Sequence, residues 1–115
     1  MKFAVEEIQK VKVLHLNERR LDTHIAPDLK AELLILLDQG PHNVLVDLKK
    51  VGYADSSGLG ALLFGLRQAK AKGGLLKIMG TQHRVLSLIR IAQLEGVLQN
   101  FETEEEAILS FDVNT

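Results

Sequence analysis

The residues of this chain that could do chemistry are concentrated in one segment, residues 53–63, which reads YADSSGLGALL. An aspartate and two serines stand in a row there, and two glycines follow closely. Short polar side chains of these types accept hydrogen bonds from the free N–H groups in the first turn of a helix. The simplest interpretation is a helix start, with Asp55 or Ser56 as the cap and the glycines permitting tight packing of strand against helix.

Catalytic and nucleotide-binding interpretations of this segment find little support. A P-loop needs a lysine after its second glycine, and none follows Gly60 or Gly65. The dinucleotide fingerprint needs a glycine where Leu63 stands. Residues 54–58 mimic a nucleophile elbow, but alanine replaces its first glycine, His83 is the only histidine that follows, and the chain is short for a hydrolase. We therefore predict no catalytic residue and no cofactor.

The composition bounds the other function classes. The chain has 115 residues, 46% of them hydrophobic and 25% charged, so we expect one folded domain over residues 1–115. A net charge of −1 offers no field for nucleic acid, and the absence of cysteine excludes disulfides and thiolate chemistry. The most apolar stretch, residues 33–37, is followed by Asp38, and Glu6 and Glu7 interrupt the start of the chain. We expect no membrane insertion, no signal peptide and a cytoplasmic location.

The histidines give no sign of a metal site. His15, His24 and His42 lack the spacing of metal ligands, and we expect no cluster of carboxylates near them. We interpret them as surface or strand-edge residues and predict no bound metal.

The apolar pattern predicts the element order β-β-α-β-α-β-α-(β)-α. Strands that alternate with single helices form parallel βαβ units with right-handed crossovers, while an opening hairpin adds an antiparallel strand. The fold class is therefore α/β, with a mixed sheet and about four helices. The predicted elements are hairpin strands at 3–5 and 10–16, a helix from Pro27 to the stop at Gly40-Pro41, a buried strand at 44–48, a helix with an apolar stripe from Leu59 to Ala69, a strand at 75–79, a helix at 85–92 capped by Thr81, a short edge strand at 98–101, and a helix after the capping box at Thr103.

Two loops are expected to meet at one end of this sheet. The carboxyl ends of strands in open α/β sheets are where ligands and partners usually bind. Residues 53–58 follow the central strand, and the charged loop at residues 19–22 opens at the same end. Asp22 and Asp55 would then form one patch of acids and hydroxyls, suited to a protein partner rather than to a small molecule.

The sequence resembles the STAS domain family, and especially its anti-sigma factor antagonists. The segment at residues 55–60, preceded by the apolar strand at 44–48, looks like the family signature. Leu21-Asp22 followed by residues 26–29 resembles the segment that opens the first helix of the family, and residues 72–78 resemble its glycine turn into the next strand. The likeness runs over about residues 3–111.

The resemblance implies a switch carried by one serine. In that family, the serine after the aspartate is phosphorylated by a partner that is both a serine kinase and an anti-sigma factor. The corresponding residue is Ser56. The unphosphorylated form binds the partner, the phosphorylated form releases it, and a phosphatase resets the cycle, so the protein itself would catalyse nothing. The resemblance implies a chain that is monomeric when free, with a docking surface made of Asp22, Thr23, Asp55, Ser56, Ser57, Gly58, Leu59 and Gly60.

Two departures and two alternatives qualify that implication. Ile25 stands where many relatives have a threonine, and residues 17–20 replace the usual Gly-Glu approach, so the partner face differs from the family pattern.

One alternative function is a static adaptor, an accessory subunit of a membrane transporter or sensory complex, which would not need the hydroxyl of Ser56. The other is a small-ligand or nucleotide-binding domain, which would have to work without a phosphate loop.

Overall fold

The computed structural model describes residues 1–111. The elements follow the predicted order, with two additional short strands. They are β1 (Phe3–Ile8), β2 (Val11–Leu16), β3 (Arg20–Leu21), α1 (Ala26–Leu37), β4 (Val44–Asp47), β5 (Tyr53–Ala54), α2 (Ser56–Ala71), β6 (Leu76–Met79), α3 (His83–Ile91), β7 (Asn100–Phe101) and α4 (Glu104–Ser110).

The main sheet has five strands in the order β1-β2-β4-β6-β7. The opening pair, β1 and β2, is antiparallel, and the pairs β2–β4, β4–β6 and β6–β7 are parallel. This arrangement confirms the predicted mixed sheet with its opening hairpin. The strand predicted at 98–101 is β7, which lies at the edge of the sheet as expected.

The two faces of the sheet are covered by different helices, because successive strand residues point to opposite sides. On one face, Leu14, Val46 and Ile78 pack with α1, α2 and α3 in the larger apolar core. On the other face, Val13 and Leu45 pack with α4 in a smaller core. All four residues of β4 are buried, so the nearly unbroken apolar run at 44–48 is a central strand covered on both faces.

Helix α1 begins as its sequence predicts and carries no side-chain cap. Pro27 occupies the first turn, where a missing N–H costs nothing. The cap position is Ile25, whose side chain cannot accept a hydrogen bond. The oxygen Oδ1 of Asp22 instead accepts from the backbone N–H groups of His24 and Ile25, at 3.0 and 3.4 Å.

Two local predictions are wrong. Thr81 does not cap α3, whose cap position is Gln82 and has no side-chain hydrogen bond. The hydroxyl of Thr81 donates to Oδ1 of Asn100 at 2.6 Å, because β7 lies beside it. The loop predicted at residues 19–22 contains a short strand, β3, which pairs in parallel with β5. By contrast, the predicted cap of α4 is confirmed, since Oγ1 of Thr103 accepts from the N–H of Glu106 at 3.2 Å and donates to Oε1 of Glu106 at 3.1 Å.

Helix length also bears on membrane insertion. Among residues 1–111, no helix is both long enough and apolar enough to cross a bilayer.

Candidate functional site

The short sheet of β3 and β5 brings the two predicted loops together. Arg20 pairs with Tyr53 and Leu21 pairs with Ala54, so the next residues along, Asp22 and Asp55, leave neighbouring strands at the same end. The predicted approach of these two loops is therefore confirmed. Strands β3 and β5 have two residues each, so these two pairs make up the whole of their contact as a sheet.

Asp55 is the cap of α2, which settles the choice left open between Asp55 and Ser56. Its backbone is extended, and its Oδ1 accepts a hydrogen bond from the N–H of Gly58 at 3.0 Å. Ser56 is the first residue of the helix. The carboxylate of Asp55 therefore caps the helix, and the hydroxyl of Ser56 does not.

Thr23 connects the two loops through its side chain. Its hydroxyl oxygen lies 3.4 Å from Oδ2 of Asp55 and 3.3 Å from the hydroxyl oxygen of Ser57. Thr23 is exposed, so the network lies at the surface. The loop before α1 and the first turn of α2 therefore form one continuous polar surface.

Ser56 differs from its neighbours in having no such contact. Its side chain is exposed, and within the described part of the chain its hydroxyl has no hydrogen-bond partner. It lies at the amino end of a helix of 16 residues, where N–H groups are free and the helix dipole is positive. An added anion would therefore be tolerated at this position by the fold itself.

The glycines of the segment have unequal surroundings. Gly58 is buried, and a Cβ there would lie 2.1 Å from the carbonyl oxygen of Leu21, so only glycine fits this close approach. The backbone that approaches Gly58 thus belongs to the chain itself. Leu59 is 3% exposed and joins the larger core, whereas a Cβ on Gly60 would meet nothing within 4 Å. A role for these three residues in partner binding stays a prediction, and Gly60 alone leaves open space for it.

Asp22 faces the start of α1 and a basic neighbour. The guanidinium of Arg20 donates from Nε to Oδ2 of Asp22 at 3.1 Å and lies over the ring of Tyr53, 4.1 Å from its centroid. This hydrogen bond, with those from the backbone of His24 and Ile25, holds the pKa of Asp22 below its ordinary value of 3.8. The carboxylate of Asp22 is therefore charged at neutral pH and already engaged.

A second polar cluster lies on the α4 side of the sheet, and the sequence interpretation missed it. Nδ1 of His15 lies 2.7 Å from Oδ2 of Asp47, and its Nε2 lies 2.8 Å from Oε1 of Glu6. Glu104 lies close to both His15 and Glu6. The expectation that His15 has no cluster of carboxylates beside it is wrong, because strand pairing and α4 assemble one from distant parts of the chain. The available signal was Asp47 itself, a charged residue inside an apolar strand.

The pKa values of His15 and Asp47 are shifted in opposite directions by their contact with each other. Burial lowers the pKa of His15, but hydrogen bonds with Asp47 and Glu6 outweigh burial and leave that pKa above 6.5. Burial raises the pKa of Asp47, yet hydrogen bonds from His15 and Lys49 outweigh burial and leave it below 3.8. The carboxylate of Asp47 is therefore a charged group that is only 2% exposed.

Comparison with known proteins finds a matching family and named relatives. Residues 2–107 match the STAS domain. An anti-sigma-B factor antagonist of Bacillus subtilis is 33% identical over 78 residues, which cover 68% of this chain and 71% of that protein.

Solved structures share the fold. An anti-sigma-factor antagonist (STAS) domain protein from Planctomyces limnophilus has a TM-score of 0.86 at 19% identity, over 96% of this chain and 97% of that one. The Bacillus cell fate determinant SpoIIAA in its phosphorylated form has a TM-score of 0.71 at 22% identity, over 95% and 98%. Likeness at these identities establishes the architecture.

Proposed function

The chain belongs to the STAS domain family, and from that premise we propose that it is an anti-sigma factor antagonist switched by phosphorylation of Ser56. Its partner is an anti-sigma factor that is also a serine kinase. The unphosphorylated chain binds this partner and frees the sigma factor, the phosphorylated chain is released, and a phosphatase resets the cycle. Ser56 is a substrate residue in this scheme, so the chain itself is no enzyme, and it works as a cytoplasmic monomer when free.

The observation that carries this proposal is the contrast between Ser56 and the residues around it. Asp55 caps α2 and Ser57 contacts Thr23, while the hydroxyl of Ser56 is exposed and has no hydrogen-bond partner within residues 1–111. A kinase can reach such a hydroxyl without opening the fold. Neither neighbour offers an equally free group.

Electrostatics explain why a phosphate there would act on the partner rather than on the fold. Phosphorylation adds about −1.5 to −2 charges at neutral pH. At the amino end of α2 this charge meets free N–H groups and the positive end of the helix dipole. At an interface, it meets Asp55 and a partner surface fitted to a hydroxyl. A penalty of about 3 kcal/mol at the interface weakens binding about 100-fold.

The similarity of fold to SpoIIAA, described in a phosphorylated form, supports the proposal. The curated relative from Bacillus subtilis supports the class of partner through its name as an anti-sigma-B factor antagonist.

The first test is phosphopeptide mapping of the protein isolated from its own cells, grown with and without stress. We expect one phosphate on Ser56, in an amount that changes with the condition. Consistent absence of phosphate would contradict the switch and favour a static adaptor.

The second test measures binding to the anti-sigma factor partner by calorimetry. We expect Ser56→Asp to bind about 100-fold more weakly than wild type, and Ser56→Ala to bind as wild type does and to resist the kinase. Ser57→Ala is the matched control and should still be phosphorylated. If Ser56→Asp bound as tightly as wild type, the site of the switch would lie elsewhere.

A further inference from the structure

We propose that Glu6, His15 and Glu104 bind one divalent transition-metal ion, for which Zn²⁺ is the probe. The site lies on β1, β2 and α4, on the side of the sheet opposite α1 and α2. It is independent of the proposed phosphorylation of Ser56, and it involves no reaction.

The distances among the three side chains suit one ion. Nε2 of His15 is 2.8 Å from Oε1 of Glu6, and one ligand atom from each of the three residues lies within 4.8 Å of the others. Zn²⁺ binds imidazole nitrogen and carboxylate oxygen at about 2.0–2.2 Å, so its ligand atoms lie about 3–4 Å apart. Glu6 is exposed and Glu104 is half-buried, so small rotations of these long side chains close the difference.

Asp47 prepares His15 for the role of ligand. The 2.7 Å contact between Oδ2 of Asp47 and Nδ1 of His15 fixes the ring and directs Nε2 toward the two glutamates. Asp47 is itself held by the N–H of Lys49, which donates to Oδ1 at 2.9 Å. A carboxylate behind a histidine is the usual support of a metal-bound imidazole, since it orients the ring and raises its basicity.

The local charge favours a dication. Three carboxylates, those of Glu6, Asp47 and Glu104, are gathered around His15. Within residues 1–111 the one lysine paired with them is Lys49, whose Nζ lies 3.2 Å from Oδ2 of Asp47. With a neutral imidazole the group carries a net charge of −2, which one divalent ion neutralises. An imidazole ligand selects a transition ion over Mg²⁺ or Ca²⁺, which prefer oxygen ligands alone.

Binding would fasten α4 to the opening hairpin. Glu104 is the first residue of α4, while Glu6 lies diagonally across the β1–β2 pair from His15, because Ala4 pairs with His15 and Glu6 with Val13. An ion held by all three joins the last helix of the described chain to its first two strands. Because the ion binds the folded chain, it also raises the melting temperature.

Calorimetric titration of the metal-free protein with ZnCl₂ at pH 7.5 tests the site. We expect one ion per chain and a melting temperature raised by about 5 °C or more at a 100-fold excess over Kd. Glu104→Gln and Glu6→Gln should each weaken binding at least 10-fold, and His15→Gln should abolish it. Glu104→Gln and Glu6→Gln each replace a carboxylate by a neutral amide of the same size and leave the apolar core intact. These two variants therefore remain informative if His15→Gln does not fold.

Three controls make the outcome decisive. Glu105→Gln removes a neighbouring acid in the same helical turn, His24→Gln removes an exposed histidine far along the chain, and Ser56→Asp alters the other site. All three should bind Zn²⁺ as wild type does. The proposal is overturned if wild type shows no 1:1 binding below millimolar Zn²⁺, or if Glu105→Gln weakens binding as much as Glu104→Gln.

Discussion

The two faces of the main sheet differ in the size of their apolar cores and in the buried charged residues beside them. The face under α1, α2 and α3 is a continuous apolar core in which Leu33, Leu62 and Ile78 are fully buried. The face under α4 has a smaller apolar cluster, and Asp47 and Lys77 are buried beside it. Because Ser56 opens a helix that packs on the first face, a change of charge at its tip leaves the core untouched. The two buried charged residues of the described chain, Asp47 and Lys77, thus both lie on the α4 side of the sheet.

The largest effect is expected where the apolar face is deepest. Leu62→Ala removes a fully buried side chain between α2 and the sheet, and should lower the free energy of unfolding by about 3 kcal/mol. Urea denaturation measures this change. Leu34→Ala, on an exposed position of α1, is the control and should cost about 0.5 kcal/mol or less. Equal losses in the two variants would contradict the assignment of the core.

The same truncation on the other face should cost less. Ile108 is 5% exposed in the smaller cluster, so we expect Ile108→Ala to lower the free energy of unfolding by about 2 kcal/mol. Leu109→Ala is the neighbouring control, since Leu109 is 76% exposed. If Ile108→Ala destabilised the protein more than Leu62→Ala, the two faces would have to be ranked the other way round.

Loss of the cap of α4 comes next in size. Thr103→Ala removes the hydroxyl that accepts from the N–H of Glu106, and should cost about 1 kcal/mol, as measured by thermal or urea unfolding. Thr103→Ser retains the oxygen and should restore most of that stability. An unchanged alanine variant would mean that packing alone holds this short helix.

The smallest effect concerns the buried lysine. Nζ of Lys77 donates to the carbonyl and hydroxyl oxygens of Ser110 and lies 4.8 Å from the ring centroid of Phe111. Burial lowers the pKa of Lys77 from 10.5, so its charged form opposes folding. Lys77→Met removes these favourable hydrogen bonds, and it also removes the unfavourable burial of a charge. Because the two effects offset each other, we expect a free energy of unfolding within about 1 kcal/mol of wild type at pH 7.

The sign of the pH dependence follows from the lowered pKa. As pH rises through the lowered value toward 10.5, the folded chain releases the proton of Lys77 before the unfolded chain does. Wild type should therefore gain stability in that window relative to Lys77→Met. Urea unfolding of both proteins at pH 7 and at pH 10 measures the gain, and a parallel response of the two would exclude a contribution from Lys77.

Local patterns in the sequence predicted the elements well, and long-range contacts explain what they missed. The apolar run at 44–48 and the four-residue spacing of Leu29, Leu33 and Leu37 are local, so β4 and α1 were predictable. The two-residue strands β3 and β5 have no periodicity of their own and form only against each other. Thr81 had the right residue type for a cap, but its hydroxyl is taken by a residue 19 positions away.

In the candidate site, too, the sequence indicated the local features and missed the contacts between distant residues. The run of Asp55, Ser56 and Ser57 marked the start of α2, but which residue caps the helix depends on backbone geometry that composition does not encode. That Asp55 and Ser57 have side-chain contacts, while the hydroxyl of Ser56 has no partner within residues 1–111, depends on Thr23, which approaches from another loop. The group of Glu6, His15 and Glu104 joins residues up to 98 positions apart, so no spacing rule could have found it.

The position of α4 in the chain has a consequence for biosynthesis. Every strand that α4 covers is synthesised before it, since β1, β2, β4, β6 and β7 all precede α4 in the chain. Leu45, the last of the three residues Val11, Val13 and Leu45 to be made, precedes the end of α4 by 65 residues, so at translation rates of about 5–20 residues per second their apolar surface stays uncovered for about 3–13 seconds. During each round of synthesis this surface is therefore open to aggregation until α4 folds over it.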